Sequence, residues 1–233
     1  MKWKKALAII GIVAGALVLL TVVIGILNAL VADGGWHFGW ESYRYNEEGY
    51  QEGGASVPSL DVTTIDIDWL DGSVTILPCD DKYISLSERS REGLEEGQTL
   101  RWCLSEDGRT LTVKYRKSSW FLSASVDRSK ELVLRIPKGL LEELNVLKVK
   151  TDRGTVSVSG VEAANIEIRT ERGDVFLSYD KDSSFSLQWE GEKGRLVSDL
   201  PLTEENGAYR YGDGESKVCV TSKWGDLMIT VPN

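Results

Sequence analysis

From Val149 to Tyr179 the chain repeats itself. Val149-Lys-Thr151-Asp-Arg-Gly154-Thr-Val156-Ser-Val158 returns as Ile168-Arg-Thr170-Glu-Arg-Gly173-Asp-Val175-Phe-Leu177, and the two glycines stand 19 residues apart, 154 to 173. Counted from the glycine, the template is apolar at −5, Thr or similar at −3 and apolar again at +2 and +4. Alternating apolar residues on both sides of a glycine describe a strand, a turn and a second strand. The period of two puts −5, −3, +2 and +4 on one face and the charged residues on the other. A single unit of this kind cannot bury its apolar face. Stacked copies can, and that is the logic of a solenoid.

Further copies lie on either side of the central pair. Ile67, Trp69, Gly72, Val74 and Ile76 fit the template, as do Val220, Ser222, Gly225, Leu227 and Ile229. A degenerate copy surrounds Gly194, with Trp189 at −5 and Leu196 at +2 but Ser198 at +4. The expected fold is therefore all-β, a repeat-built β-solenoid or β-helix-like domain spanning 60–233. The alternative is a β-sandwich whose hairpins merely share turn chemistry. Each glycine is expected at φ > 0, where a β-branched replacement costs on the order of 1–2 kcal/mol.

The remaining segments fit around these units. Glu106-Asp107-Gly108-Arg109 marks a hairpin between Leu100–Leu104 and Leu111–Tyr115. Leu132–Ile136 reads as a strand ended by Pro137, and Lys138–Leu144 as one helical turn or a loop. The charged run Glu88–Gln98 reads as an exposed loop, and Asp199–Gly214 as a turn-rich insertion.

The beginning of the chain is of another kind. Residues 1–5 form a basic head with Lys2, Lys4 and Lys5, and residues 6–32 carry no charge at all. As a helix at ~1.5 Å per residue, 6–32 would be ~40 Å long, enough to cross a ~30 Å hydrocarbon core with tilt. A secretory signal has a shorter apolar region of ~7–15 residues, and a cut after Ala32 would put Leu30 at its −3 position. The expectation is one uncleaved N-terminal transmembrane helix, with the lysines in the cytoplasm and the rest of the chain extracellular. Residues 33–59 then form a juxtamembrane linker rich in Gly and aromatic residues. Trp36, Phe38, Trp40 and Tyr43 are suited to the membrane interface, and His37 is the single histidine.

Composition removes several function classes. The formal net charge is −9, and the basic head contributes +3 of it, so the rest of the chain carries −12. Such an exterior argues against nucleic acid as a partner. One histidine and the scattered Cys79, Cys103 and Cys219 do not supply the closely spaced ligands of a zinc site. The three cysteines read as small core residues, although one pair could form a disulfide. No P-loop, GxGxxG or EF-hand loop is present, so no cofactor is expected. A histidine in a linker is poorly placed to activate a nucleophile.

One arrangement invites a ligand. If neighbouring rungs align, Lys150 lies beside Arg169, Asp152 beside Glu171, and Arg153 beside Arg172. This charged ladder is either a solvated face or a groove for a polyanionic or saccharide chain. A glycan-active enzyme would use carboxylates in such a groove, but no particular pair stands out.

The chain resembles the bacterial putative adhesins with β-strand repeats, a domain of unknown function found in Gram-positive envelopes. The likeness is carried by Ile65-Asp-Ile67 through Gly72-Ser-Val74, by Leu132–Pro137, by the units at Thr151 and Thr170, and by Ser222-Lys-Trp-Gly225-Asp-Leu-Met-Ile229. The resemblance implies a membrane-anchored, non-enzymatic role in adhesion or interaction, with a cell-wall polymer or a membrane protein as partner. It also implies an alternative, an accessory that modulates envelope-stress signalling. A second alternative, from the ladder itself, is a glycan-active enzyme on a β-helix.

Overall fold

The structure is a computed structural model, and it describes residues 43–58, 61–91, 93–94, 97–118 and 129–232. The expected span 6–32 and the aromatic residues Trp36, Phe38 and Trp40 lie outside the described residues. So does His37. Among the described residues no helix is long and apolar enough to cross a membrane. The unit Tyr45–Ser118 with Asp127–Asn233 is compact.

Among the described residues eighteen strands form two sheets. In chain order they begin with β1 (Gln51–Glu52), β2 (Ala55–Pro58), β3 (Thr64–Asp71), β4 (Val74–Cys79), β5 (Tyr83–Ser90) and β6 (Arg101–Leu104). There follow β7 (Thr110–Lys114), β8 (Lys130–Pro137), β9 (Val146–Arg153), β10 (Val156–Ser159), β11 (Asn165–Arg172) and β12 (Val175–Ser178). The last are β13 (Phe185–Gly191), β14 (Leu196–Ser198), β15 (Thr203–Glu205), β16 (Ala208–Tyr211), β17 (Ser216–Trp224) and β18 (Leu227–Thr230). A single helical turn, Lys138–Leu141, follows Pro137.

Each repeat is one strand in each sheet, joined at its glycine. The pairs are β3/β4 at Gly72, β9/β10 at Gly154, β11/β12 at Gly173, β13/β14 at Gly194 and β17/β18 at Gly225. Neighbouring rungs pair in parallel in both sheets, with Ile168 opposite Val149 in one and Val175 opposite Val156 in the other. The ten-stranded sheet runs β1-β6-β7-β3-β9-β11-β17-β13-β16-β15, and the eight-stranded sheet runs β14-β18-β12-β10-β4-β8-β5-β2. Apolar residues from both sheets fill the space between them: Ile67, Val149, Ile168 and Val220 on one side, Ile76, Val158, Leu177 and Ile229 on the other. The parallel middle is a solenoid. Antiparallel strands cap both ends of the ten-stranded sheet and the β2 end of the eight-stranded one, whereas the short β14 closes the other end in parallel pairing with β18.

The corner glycines form a column. A Cβ on Gly154 would overlap the carbonyl of Gly72, one on Gly173 that of Gly154, one on Gly225 that of Gly173, and one on Gly194 that of Gly225. Gly72, Gly154 and Gly173 take the expected positive φ, at +100°, +137° and +146°. Gly194 and Gly225 do not. The common requirement is therefore room for the backbone of the next rung, and backbone conformation adds to it at three positions.

Four features depart from the sequence expectations. First, order in space is not order in the chain. The unit at Gly225 inserts between those at Gly173 and Gly194. The degenerate unit has Gly191 at −3 and Ser198 at +4, which fill little core, so it suits the end of the stack. Second, β7/β8 is a sixth rung without a glycine. Val74 lies opposite Leu132, so Lys130 holds the corner, and the carbonyl of Lys130 is what Gly72 packs on.

Third, the linker expected at 33–59 ends earlier. Residues 51–58 pair with the domain, β1 on β6 and β2 on β5. Tyr45 hydrogen-bonds through its hydroxyl to the Arg116 carbonyl at 2.8 Å, and its ring packs at a tilt of 56° against that of Tyr50, centroids 4.8 Å apart. Burial pushes the Tyr45 hydroxyl up to about 12. Fourth, Glu88 is not in an exposed loop. It ends up 6% exposed and bonded to Lys130. The hairpin at Asp107-Gly108 forms as expected, with Gly108 at φ +74°. The insertion contains a hairpin of its own, β15 to β16, turning at Asn206 and Gly207 with φ +53° and +79°.

Candidate functional site

Alternation sends every second residue of the ten-stranded sheet outward. On β9 these are Lys148, Lys150 and Asp152, and on β11 they are Glu167, Arg169 and Glu171. Register places Lys150 opposite Arg169 and Arg153 opposite Arg172, as the repeat implied. Asp152 and Glu171 stand between those two pairs and are neighbours in the same way.

A shallow groove of about 460 Å³ runs across four of these strands. Lys150, Asp152, Arg169 and Glu171 line it, and Glu190, Glu192, Thr221 and Lys223 join them, above a floor that includes Thr151, Thr170 and Ser222. Four of the six ladder residues are thus brought together. Arg153 and Arg172 are not among them, because they fall at the strand ends where the chain turns the corner. Arg153 is tied to Asp71 at 2.8 Å. The sequence pattern missed the residues of β13 and β17, since nothing in a 19-residue repeat says that β17 lies next to β11.

The groove carries both signs of charge. Arg169 bonds Glu167 at 2.6 Å on its own strand, and Lys148 approaches the same carboxylate at 3.9 Å. Lys150, Glu171 and Lys223 have no ion pair among the described residues. These groups meet a ligand at little desolvation cost, because they start in water. Cys219 sits on the same face, between Glu167 and Gln188 in register. Burial pushes its thiol up, and the nearby Glu190 and Glu167 carboxylates add to the rise. That thiol is a poor nucleophile. All three cysteines are free and half-buried, and none is a core residue. Among the described residues no group of three His, Cys, Asp or Glu side chains could hold a metal ion.

The −3 positions lie on the inner side of the groove's strands. Thr151, Thr170 and Ser222 are in register across β9, β11 and β17, and all three are buried. None of their hydroxyls has a hydrogen-bond partner. A buried hydroxyl left unpaired costs about 1–3 kcal/mol. Thr170→Val keeps the shape and removes the hydroxyl, so it should raise stability by about 1 kcal/mol. Denaturant melts would check this. A loss of stability would mean that Thr170 has a partner in solution.

At the corner beside the groove, Trp224 is 47% exposed. Lys193 holds its ammonium over the indole, 3.5 Å from the ring centroid. Two residues on from Trp224, Asp226 takes the Arg195 backbone N–H at 2.9 Å. That bond, with help from the Arg195 guanidinium, holds the Asp226 carboxyl below its usual range.

A two-sheet solenoid with a charged groove on its wider sheet is a class of fold, and comparison with known proteins gives it a family. Residues 62–230 match the Toastrack DUF4097 domain. The chain belongs to that family. It is also similar in fold to a solved structure described as a putative cell adhesion protein from Clostridium sporogenes. That likeness covers 78% of this chain and 100% of the other, at 12% identity and a TM-score of 0.55. No curated protein matches the chain.

Proposed function

We propose that this is a non-enzymatic cell-envelope protein, held in the membrane by residues 6–32, whose external repeat domain adheres to a cell-wall polymer. The groove on the ten-stranded sheet is the contact face. The observation that carries this reading is the placement of Lys150, Arg169 and Lys223 along one groove of an otherwise acidic chain. Cations spaced one strand apart, ~4.8 Å, can follow a repeating anionic chain. The carboxylates beside them limit how tightly a simple polyanion binds, and so favour a modest, reversible grip. The description of the Clostridium protein as an adhesion protein points the same way.

The uncharged stretch 6–32 behind three lysines supports the anchor and its orientation. With Tyr45–Pro58 bound to the domain, only a short stretch separates that span from the β-stack.

The test is a pulldown of a fragment spanning 45–233, which contains the compact unit, on purified cell-wall polymers at low and at high salt. Retention at low salt and release at high salt is the expected result. No retention at either would overturn the wall-polymer reading and point to a protein partner in the membrane.

A further inference from the structure

Resting on the adhesive reading above, we infer that the corner beside the groove is a saccharide subsite, built from Trp224, Lys193, Arg172 and Lys223, that takes a sugar ring bearing an anionic group. Register sets the constellation. In the parallel ladder of β11 and β17, Arg172 lies directly opposite Trp224. Lys193 reaches over the indole from the loop between β13 and β14. Lys223, next to Trp224 in the chain, lines the groove.

The fold keeps this corner open for a reason that can be traced. The loop 191–195 passes close to the stack because Gly191 and Gly194 leave room for the ring of Trp189, which a Cβ at either position would meet. Trp189 is thereby drawn inward, while Trp224 stays outside. Indole is among the groups most favoured by burial. A tryptophan left 47% exposed at a strand end gives up much of that stabilisation. A cation over its face compensates in part. The neighbouring cations differ in their partners. Arg153, one strand away, is neutralised by Asp71 at 2.8 Å, whereas Arg172 and Lys223 have no ion pair among the described residues.

The chemistry follows from these groups. A flat indole accepts the apolar face of a sugar ring. A guanidinium and two ammonium groups around it accept phosphate, sulfate or carboxylate oxygens, the guanidinium in bidentate fashion. The carboxylates at this end, Glu171, Glu190, Glu192 and Asp226, reject an extended polyanion that lacks a ring to hold it. Lys193 is the mobile member, because it has to lift from the indole as the ring docks. The corner therefore selects an anionic saccharide over either a neutral glycan or a plain polyanion.

The experiment uses the full-length chain in mild detergent and three probes: dextran sulfate, neutral dextran and poly-glutamate. Wild type should bind dextran sulfate and discriminate against both others. Trp224→Ala and Arg172→Gln should each weaken that binding by about tenfold or more, as for buried Trp and Arg anchors of other interfaces. Trp224→Phe should retain most of it. Lys193→Gln changes only an exposed side chain and should weaken binding without altering the melting midpoint, so it guards against misfolding as the explanation. If dextran sulfate binds, but only Lys150→Glu and Arg169→Glu weaken it, the subsite is wrong and the groove stands. If poly-glutamate binds as well as dextran sulfate, the ring plays no part and the subsite is overturned. If wild type binds none of the three, the subsite is overturned. The wall-polymer pulldown then decides the adhesive reading on its own.

Discussion

Gly173→Val should destabilise the domain by about 3 kcal/mol or more, the sum of left-handed backbone strain and overpacking. Gly173 sits at φ +146°, and a Cβ there would overlap the Gly154 carbonyl. That carbonyl belongs to the backbone of the next rung and cannot turn aside as a side chain would. The Gly154 N–H is bonded to the Arg172 carbonyl at 2.8 Å, and the Gly173 N–H to the Trp224 carbonyl at 2.8 Å. Moving either rung therefore strains the hydrogen bonds of three. Two controls separate the causes. Gly207→Ala, at φ +79° with open space around it, should cost only about 1 kcal/mol. Gly225→Ala carries no left-handed strain but the same overlap, so it should cost clearly more than Gly207→Ala. If Gly225→Ala were silent in denaturant melts, close stacking would not be the reason for the column.

Lys130→Met should cost about 3–5 kcal/mol, because it strands a buried carboxylate. Lys130 is 1% exposed in its side chain and Glu88 6%. The ammonium bonds Glu88 Oε2 at 2.7 Å and the Gln98 carbonyl at 2.7 Å, and it also reaches the Tyr115 carbonyl. It lies 4.2 Å from the Tyr115 ring centroid and 4.8 Å from that of Trp69. The other Glu88 oxygen takes the Leu100 N–H at 2.8 Å. The network thus ties β5, the 97–100 segment, β7 and β8 into one plug at the end of the stack. Adding Glu88→Gln to Lys130→Met removes the stranded charge and still accepts from Leu100. The double variant should therefore recover part of the loss, and a double-mutant cycle would measure how much. A single-variant loss below ~1 kcal/mol, typical of a surface pair, would show that the plug is solvated.

The rungs were legible because their chemistry is local. A Thr, a glycine three residues on and apolar residues at fixed offsets place two strands and the corner between them. The charged ladder followed, since a fixed register makes side-chain neighbours of equivalent positions. Other features depend on contacts that local pattern does not encode. The β7/β8 rung has fourteen residues between Tyr115 and Lys130 where the others have a glycine corner. The insertion of β17/β18 between two earlier rungs depends on which unit can be apolar on both flanks. Glu88 sits in a charged run and is buried only because Lys130, 42 residues later, meets it. The strap at 51–58 is held by backbone pairing, so its acidic and Gly-rich composition looks like a linker. The same distance problem hid the far wall of the groove, with Glu190, Glu192 and Lys223.

The claim on which the functional account depends is that the aligned cations of the groove hold the wall polymer. Binding isotherms of the 45–233 fragment on a purified anionic wall polymer test it, comparing wild type with Lys150→Glu/Arg169→Glu. Both residues are exposed, so the double variant should melt as wild type does. Loss of binding by about tenfold or more, with an unchanged melting midpoint, is expected. Equal binding by the two folded proteins would contradict the groove as the contact face.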